Sequence, residues 1–343
     1  MLMHRVMHPQ DGSFRLDRVW VYVCVLVLCF ACWAGAYAVS LGMPAVGEGS
    51  GTLLWRAVAS LLANKTEMYV AGVLMMLACA VVIFRISHNM FLVRERTILP
   101  LIICILLFST GEHFLPLKPG SIGMFCLALS THTLLVSYHE PRSIKEAYMT
   151  GFIMGIGSLF WSYTLWFFPL IWMMMYRFLS LTGKTFASSL LGLASVYWMV
   201  WGVCVVTDNY DILLQIASTL AGMHPFSLRS IQWTEWGTTG CYVFFTATAV
   251  LCTFRRRFDE NRRMQSFYIL LLQYSLLTLI LFLLYPYPVG QEILQCFCIP
   301  ATILLADFFA AKRRWWRFWM FQSMVALLVF FLFIRLIALW NLS

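Results

Sequence analysis

The residues best equipped for chemistry are few, and they gather in short segments between long apolar runs. Glu112-His113 closes the fully apolar stretch Leu101 to Phe108. A carboxylate beside an imidazole is a usable general base pair; a solvated helix end is the plainer reading of the same dipeptide. Glu48 and Glu67 share an earlier polar segment, and Lys118 follows His113 closely. Asp208, Asp211, His224, Arg229 and Glu235 lie in the longest polar segment, and Glu292 in the loop before the tenth apolar run. Arg335 interrupts an otherwise apolar stretch five residues before Trp340. There an arginine either snorkels to water or presents its planar fork to a phosphate or carboxylate inside a helix bundle. Asp307 stands one helical turn from Lys312 and Arg313, which predicts a local ion pair.

Several familiar sites are excluded. The chain has no Gly-rich phosphate loop, no His-Glu-x-x-His and no Gly-x-Ser-x-Gly elbow. His132 and His139 are seven apart with no further histidine nearby, so the dense histidine boxes of a membrane di-iron oxygenase are missing. The eleven cysteines lie in or at the edges of apolar runs without metal-ligand spacing, and read as free thiols used for packing. No metal and no cofactor is expected.

The elements that must position these residues are helices in a membrane. Of 343 residues, 61% are hydrophobic and only 11% charged, an apolar share beyond that of soluble globular chains. The fold class expected is an all-α, polytopic transmembrane bundle. Eleven runs are long enough to serve as helices, from Val19 to Leu41 at the start to Phe318 to Trp340 at the end. Residues 1–18 form a polar tail and 19–343 a single membrane domain. Ala36-Tyr37-Ala38 resembles a signal-peptidase site, but the long polar stretch ahead of it favours an uncleaved anchor.

Lys and Arg number 24 against 15 Asp and Glu. With the N-terminus cytoplasmic, the inner segments carry 19 of these bases and the outer segments four. The surplus of base is therefore a positive-inside signal rather than a nucleic-acid footprint. The C-terminus then lies outside, as do Glu67, Glu112, His113 and Lys118.

Residues 144–181 are short for two spans. Reading them as one would put the five arginines of 255–263 outside. Ser143 with Glu146 three residues later forms a capping-box pattern that opens a helix, so a short hairpin is expected with Trp161, Ser162 and Tyr163 at its outer turn. On its first arm, Ala147, Gly151 and Gly155 recur every four residues. Small residues at that spacing admit a second helix closely; a groove for a ligand is the other reading. Within the longest outer stretch, 207–235, the apolar run Ile212 to Ala221 predicts a helix lying on the outer leaflet.

Arg96-Thr97-Ile98-Leu99-Pro100, followed about fifty residues on by Ala147 to Phe160 (Ala-Tyr-Met-Thr-Gly-Phe-Ile-Met-Gly-Ile-Gly-Ser-Leu-Phe), resembles a family of multi-pass inner-membrane proteins of Bacteroidetes. The likeness covers roughly residues 85–210. That family is in turn distantly similar to the C-type-fold glycosyltransferases, which take sugars from polyprenyl-phosphate carriers at the outer face. The resemblance implies a bacterial inner-membrane location and an extracytoplasmic site with an acid of the first outer loop as base. Only Glu48 and Glu67 can take that place, and neither belongs to an acidic pair; the usual large soluble C-terminal domain is also missing.

The leading expectation is thus sugar transfer from a lipid carrier, with Glu67 or Glu112 as base, His113 assisting, and Arg335 with Lys118 holding the phosphate. A non-enzymatic scaffold or partner in an envelope assembly complex is the competing class. A transporter is a third, set back by the lack of acids in mid-span.

Overall fold

Backbone amides and carbonyls in segments this apolar must find their partners within the segment, which only a helix allows. The computed structural model describes residues 19–40, 51–62, 64–89, 97–110, 115–136, 143–208, 216, 218–220, 233–258, 262–285, 289–311 and 315–340. They are almost wholly helical, with no strand among them. In chain order the helices are α1 (Val19–Ser40), α2 (Leu53–Leu61), α3 (Lys65–Asn89), α4 (Leu99–Thr110), α5 (Pro119–Val136) and α6 (Ile144–Phe160). A short 3-10 helix (Ser162–Phe167) follows, then α7 (Phe168–Arg177), α8 (Gly183–Thr207), α9 (Trp233–Phe258), α10 (Arg262–Leu284), α11 (Val289–Ala310) and α12 (Trp315–Trp340).

Among the described residues, four helices are long and apolar enough to cross a membrane: α3 over Lys65–His88, α8, α10 over Met264–Leu284, and α11. Val23–Gly35, Leu99–Ser109 and Trp315–Phe331 are shorter apolar stretches.

The core is organised around α11, which touches α10, α4, α9, α5, α3 and α12. To one side, α6 joins α5 to α8 through a seam of small residues. A Cβ on Gly151 would strike the Ser189 carbonyl, and one on Gly192 would strike the Tyr148 carbonyl. One at Gly155 would come within 2.9 Å of Val196 Cγ2. Ala147, Gly151 and Gly155 are all buried, so the two backbones meet where side chains are least bulky.

One local expectation fails. Ser143 precedes α6, but its φ of −71° and ψ of 46° leave the extended region a capping residue needs, and its hydroxyl makes no cap hydrogen bond. The capping box belongs instead to α8, where Thr185 N donates to Thr182 Oγ1 (3.2 Å) and Thr182 N donates to Thr185 Oγ1 (2.8 Å). The helix expected to lie on the outer leaflet is described only at Ile216 and 218–220, where Ser218 is exposed and Ile216 is buried. Ile216 packs with Leu159 of α6 and Val196 of α8, which seats that side of the segment on the bundle.

Candidate functional site

The densest group of buried polar side chains lies where α11 begins. Gln291, Glu292 and Gln295 occupy its first turns, and all three are buried, Glu292 to 3% exposure. Glycine makes this possible. A Cβ at Gly120, in the first turn of α5, would lie 2.8 Å from Glu292 Cβ and 3.1 Å from its Oε2, so only a bare backbone admits the carboxylate here. The next residue, Ser121, donates its hydroxyl to Gln295 Oε1 at 3.3 Å. Lys118, half-buried, accepts through its carbonyl from Ser121 N (3.1 Å), and Leu117 N donates to Met68 O (3.2 Å), tying this corner to the first turn of α3.

Aromatic rings close the corner. The chain leaves α6 at Trp161, whose extended backbone (φ −144°, ψ 98°) turns the ring onto Gly123 of α5. The Trp161 and Tyr163 rings lie 5.7 Å apart, and Tyr163 meets Tyr285 edge-on at 4.9 Å. At the turn between α6 and α7, Trp161, Ser162 and Tyr163 are buried, because the 3-10 segment folds back against α5 and Tyr285. Burial pushes the Tyr163 phenol up to about 12, with Tyr285 and Glu292 adding to the effect. Burial likewise raises Tyr285, opposed by the Trp166 indole. Both phenols therefore stay protonated at neutral pH, and Tyr285 OH donates to Leu220 O at 3.5 Å. The indole N–H of Trp161, the hydroxyl of Ser162 and the Gln291 amide nitrogen are buried without a hydrogen-bond partner. A corner holding a carboxylate, two carboxamides, two neutral phenols and an indole can accept and donate several hydrogen bonds to one polar molecule while excluding water.

Of the residues singled out from the sequence, few are described. Glu67 is exposed in the first turn of α3, where its Oε1 accepts from Asn64 Nδ2 at 2.8 Å; this is a helix-terminus contact, favoured by the local dipole, and points to no shared cavity. Glu48, Glu112, His113, Asp211, His224 and Arg229 lie outside the described residues. Arg335 is placed only as a position on α12. Among the described residues, Lys118 adjoins the Glu292 corner through the first turn of α5. Asp208 caps the C-terminus of α8 with a left-handed φ of 56°.

Glu292, expected in a loop, is the main correction. It stands inside α11, which begins at Val289, two residues before the apolar run. The signal was its spacing: Gln291, Glu292 and Gln295 sit at i, i+1 and i+4, close enough in angle to share one side of a helix. Polar residues grouped that way at the head of an apolar helix mark a buried face.

The other end of α11 holds a second polar group. Asp307 is 5% exposed, and the Arg317 guanidinium of α12 sits 5.0 Å from the Phe308 ring centroid and 5.6 Å from that of Trp316. Lys312 and Arg313, the expected partners of Asp307, lie outside the described residues. Ten cysteines are described as free thiols, and no grouping of three or more His, Cys, Asp or Glu among the described residues could hold a metal ion.

Compared with protein-family models, with curated proteins and with solved structures, the chain finds no match.

Proposed function

We propose that the chain is a multi-pass protein of a bacterial inner membrane, crossing about eleven times with its N-terminus in the cytoplasm and its C-terminus in the periplasm. In that placement the Glu292 corner faces the periplasm. We further propose that it transfers a sugar from a polyprenyl-phosphate carrier there, with Glu292 rather than Glu67 as base. The observation that supports this reading is the corner itself, where Glu292, Gln291 and Gln295 lie beside Tyr163, Tyr285 and Trp161, next to half-buried Lys118. Carboxylates and carboxamides bind sugar hydroxyls, aromatic rings cover the C–H faces of a pyranose, and a cation beside them holds a phosphate. Glu292 would take the proton of the acceptor hydroxyl as that oxygen bonds to the anomeric carbon and the polyprenyl phosphate departs with the bonding pair.

Envelope glycans of a deletion strain carrying Glu292→Gln should match those of the deletion, and those of a strain carrying Glu67→Gln should match wild type. Glycans unchanged by the deletion would remove the sugar-transfer reading.

A second reading, a non-enzymatic component of an envelope assembly, draws support from α8. Its outward side shows Trp198, Met199 and Val206, all strongly exposed, a surface suited to another membrane helix. Purification in mild detergent checks it: a stoichiometric partner lost on Trp198→Ala supports assembly, and its absence counts against it.

A further inference from the structure

The buried polar residues of α11 are not confined to the sugar corner. Glu292 stands in the first turn and Asp307 in the last, on a helix whose apolar window is 94% buried. Fifteen residues separate them, about 22 Å along the axis, and at 100° per residue they point within about 60° of one another. Two acids on one side of a central helix, near its two ends, are costly to bury and mark an ion or proton pathway before they mark structure.

Polar groups fill the interval between them. Gln295 and Thr302 are buried on α11 itself, and Pro300 lacks the N–H that would satisfy the carbonyl of Cys296. From α10, the Tyr274 hydroxyl, fully buried and without a hydrogen-bond partner, lies within electrostatic reach of Cys296. From α9, which also packs on α11, Thr246 presents a buried hydroxyl with no partner. Such groups are seldom left unsatisfied unless water or a transferred ion serves them.

We propose that α11 is a proton-conducting line between the two faces of the bundle. It rests on the membrane placement proposed above but not on sugar transfer. A proton taken up by the Asp307 carboxylate passes through the hydroxyls of Thr302 and Tyr274 and intervening water to Glu292. It leaves past Tyr163 and Tyr285. Only O–H bonds are exchanged, and the net result is one proton moved from one face to the other.

The test uses the purified full chain in liposomes with an entrapped pH dye and a valinomycin-imposed potassium potential. Wild type should move protons faster than protein-free liposomes. Asp307→Asn and Glu292→Gln should each cut that rate about tenfold or more, Tyr274→Phe should reduce it, and Trp198→Leu on α8 should leave it unchanged. A monodisperse wild-type protein with no flux above protein-free liposomes overturns the proposal, as does an Asp307→Asn variant that conducts like wild type. If Asp307→Asn does not purify as a folded protein, Tyr274→Phe decides, since it removes one oxygen only; unchanged flux there overturns it equally. The two proposals fail separately: Asp307→Asn should leave envelope glycans intact, whereas Glu292→Gln should lose both glycan and flux.

Discussion

Helices α8 and α11 are nearly equal in length and in apolar character, yet they occupy opposite places. The apolar window of α11 is 94% buried and that of α8 only 17%. In water such a pair could not exist, because α8 would be forced inward. Lipid removes that force, and the distinction passes to the polar and small residues. On α8 the three serines and Gly192 serve its contacts with α6 and α7. Ser188 Oγ donates to Ile144 O (2.8 Å), Tyr148 OH to Ser195 Oγ (3.1 Å) and Trp172 Nε1 to Ser189 Oγ (3.2 Å), while Gly192 admits the α6 backbone. Much of the remaining surface of α8, including Trp198 at 71% exposure, faces outward. On α11, Glu292, Gln295, Thr302 and Asp307 run the length of the helix, with neighbours on several sides. A polar residue in one narrow stripe docks a helix; polar residues along its whole length place it at the centre.

The contrast is tested most severely by truncating one large side chain on each helix. Phe297→Ala on α11, where the ring is 1% exposed, should cost about 3–5 kcal/mol, whereas Trp198→Ala on α8 should stay within about 0.5 kcal/mol. Thermal unfolding in detergent measures both, and equal losses would break the comparison. Gly151→Val comes next. Its side chain must displace the Ser189 carbonyl, so it should cost about 1–3 kcal/mol and should expose the α6 to α8 seam to proteolysis before the α11 core.

A pH effect follows from the raised Tyr163 phenol. A tyrosine that titrates near 10 in the unfolded chain and near 12 in the fold contributes stability that is fully present below pH 10. That contribution falls as pH rises toward 12. Alkaline unfolding curves of Tyr163→Phe should therefore be flatter than wild type across that interval, and parallel curves would mean that the phenol is not buried beside Glu292. The smallest effect concerns how α8 is tethered. Leu179 and Asp208, the two non-glycine residues with positive φ among those described, flank this helix, each at 56°. Leu179→Gly should raise stability by about 0.5–1 kcal/mol, since leucine pays a steric penalty in the left-handed region; an unchanged melting temperature would show that the turn already relaxes.

The sequence by itself determined the helical class, the order of apolar runs and the clustering of basic residues between them. These depend on backbone satisfaction and on charge, both of which are local properties. It also marked the bare face at Ala147, Gly151 and Gly155, because the spacing of small residues is legible along one helix. It did not reveal that Ser143 fails to cap α6, since a cap depends on the dihedral angles that the preceding chain allows. Only the tertiary structure decided that α11 rather than α8 is central and that Glu292 is enclosed. Hydropathy has no preference between lipid and protein interior, and Glu292 is buried by Gly120, a residue 172 positions earlier whose missing side chain makes room for it.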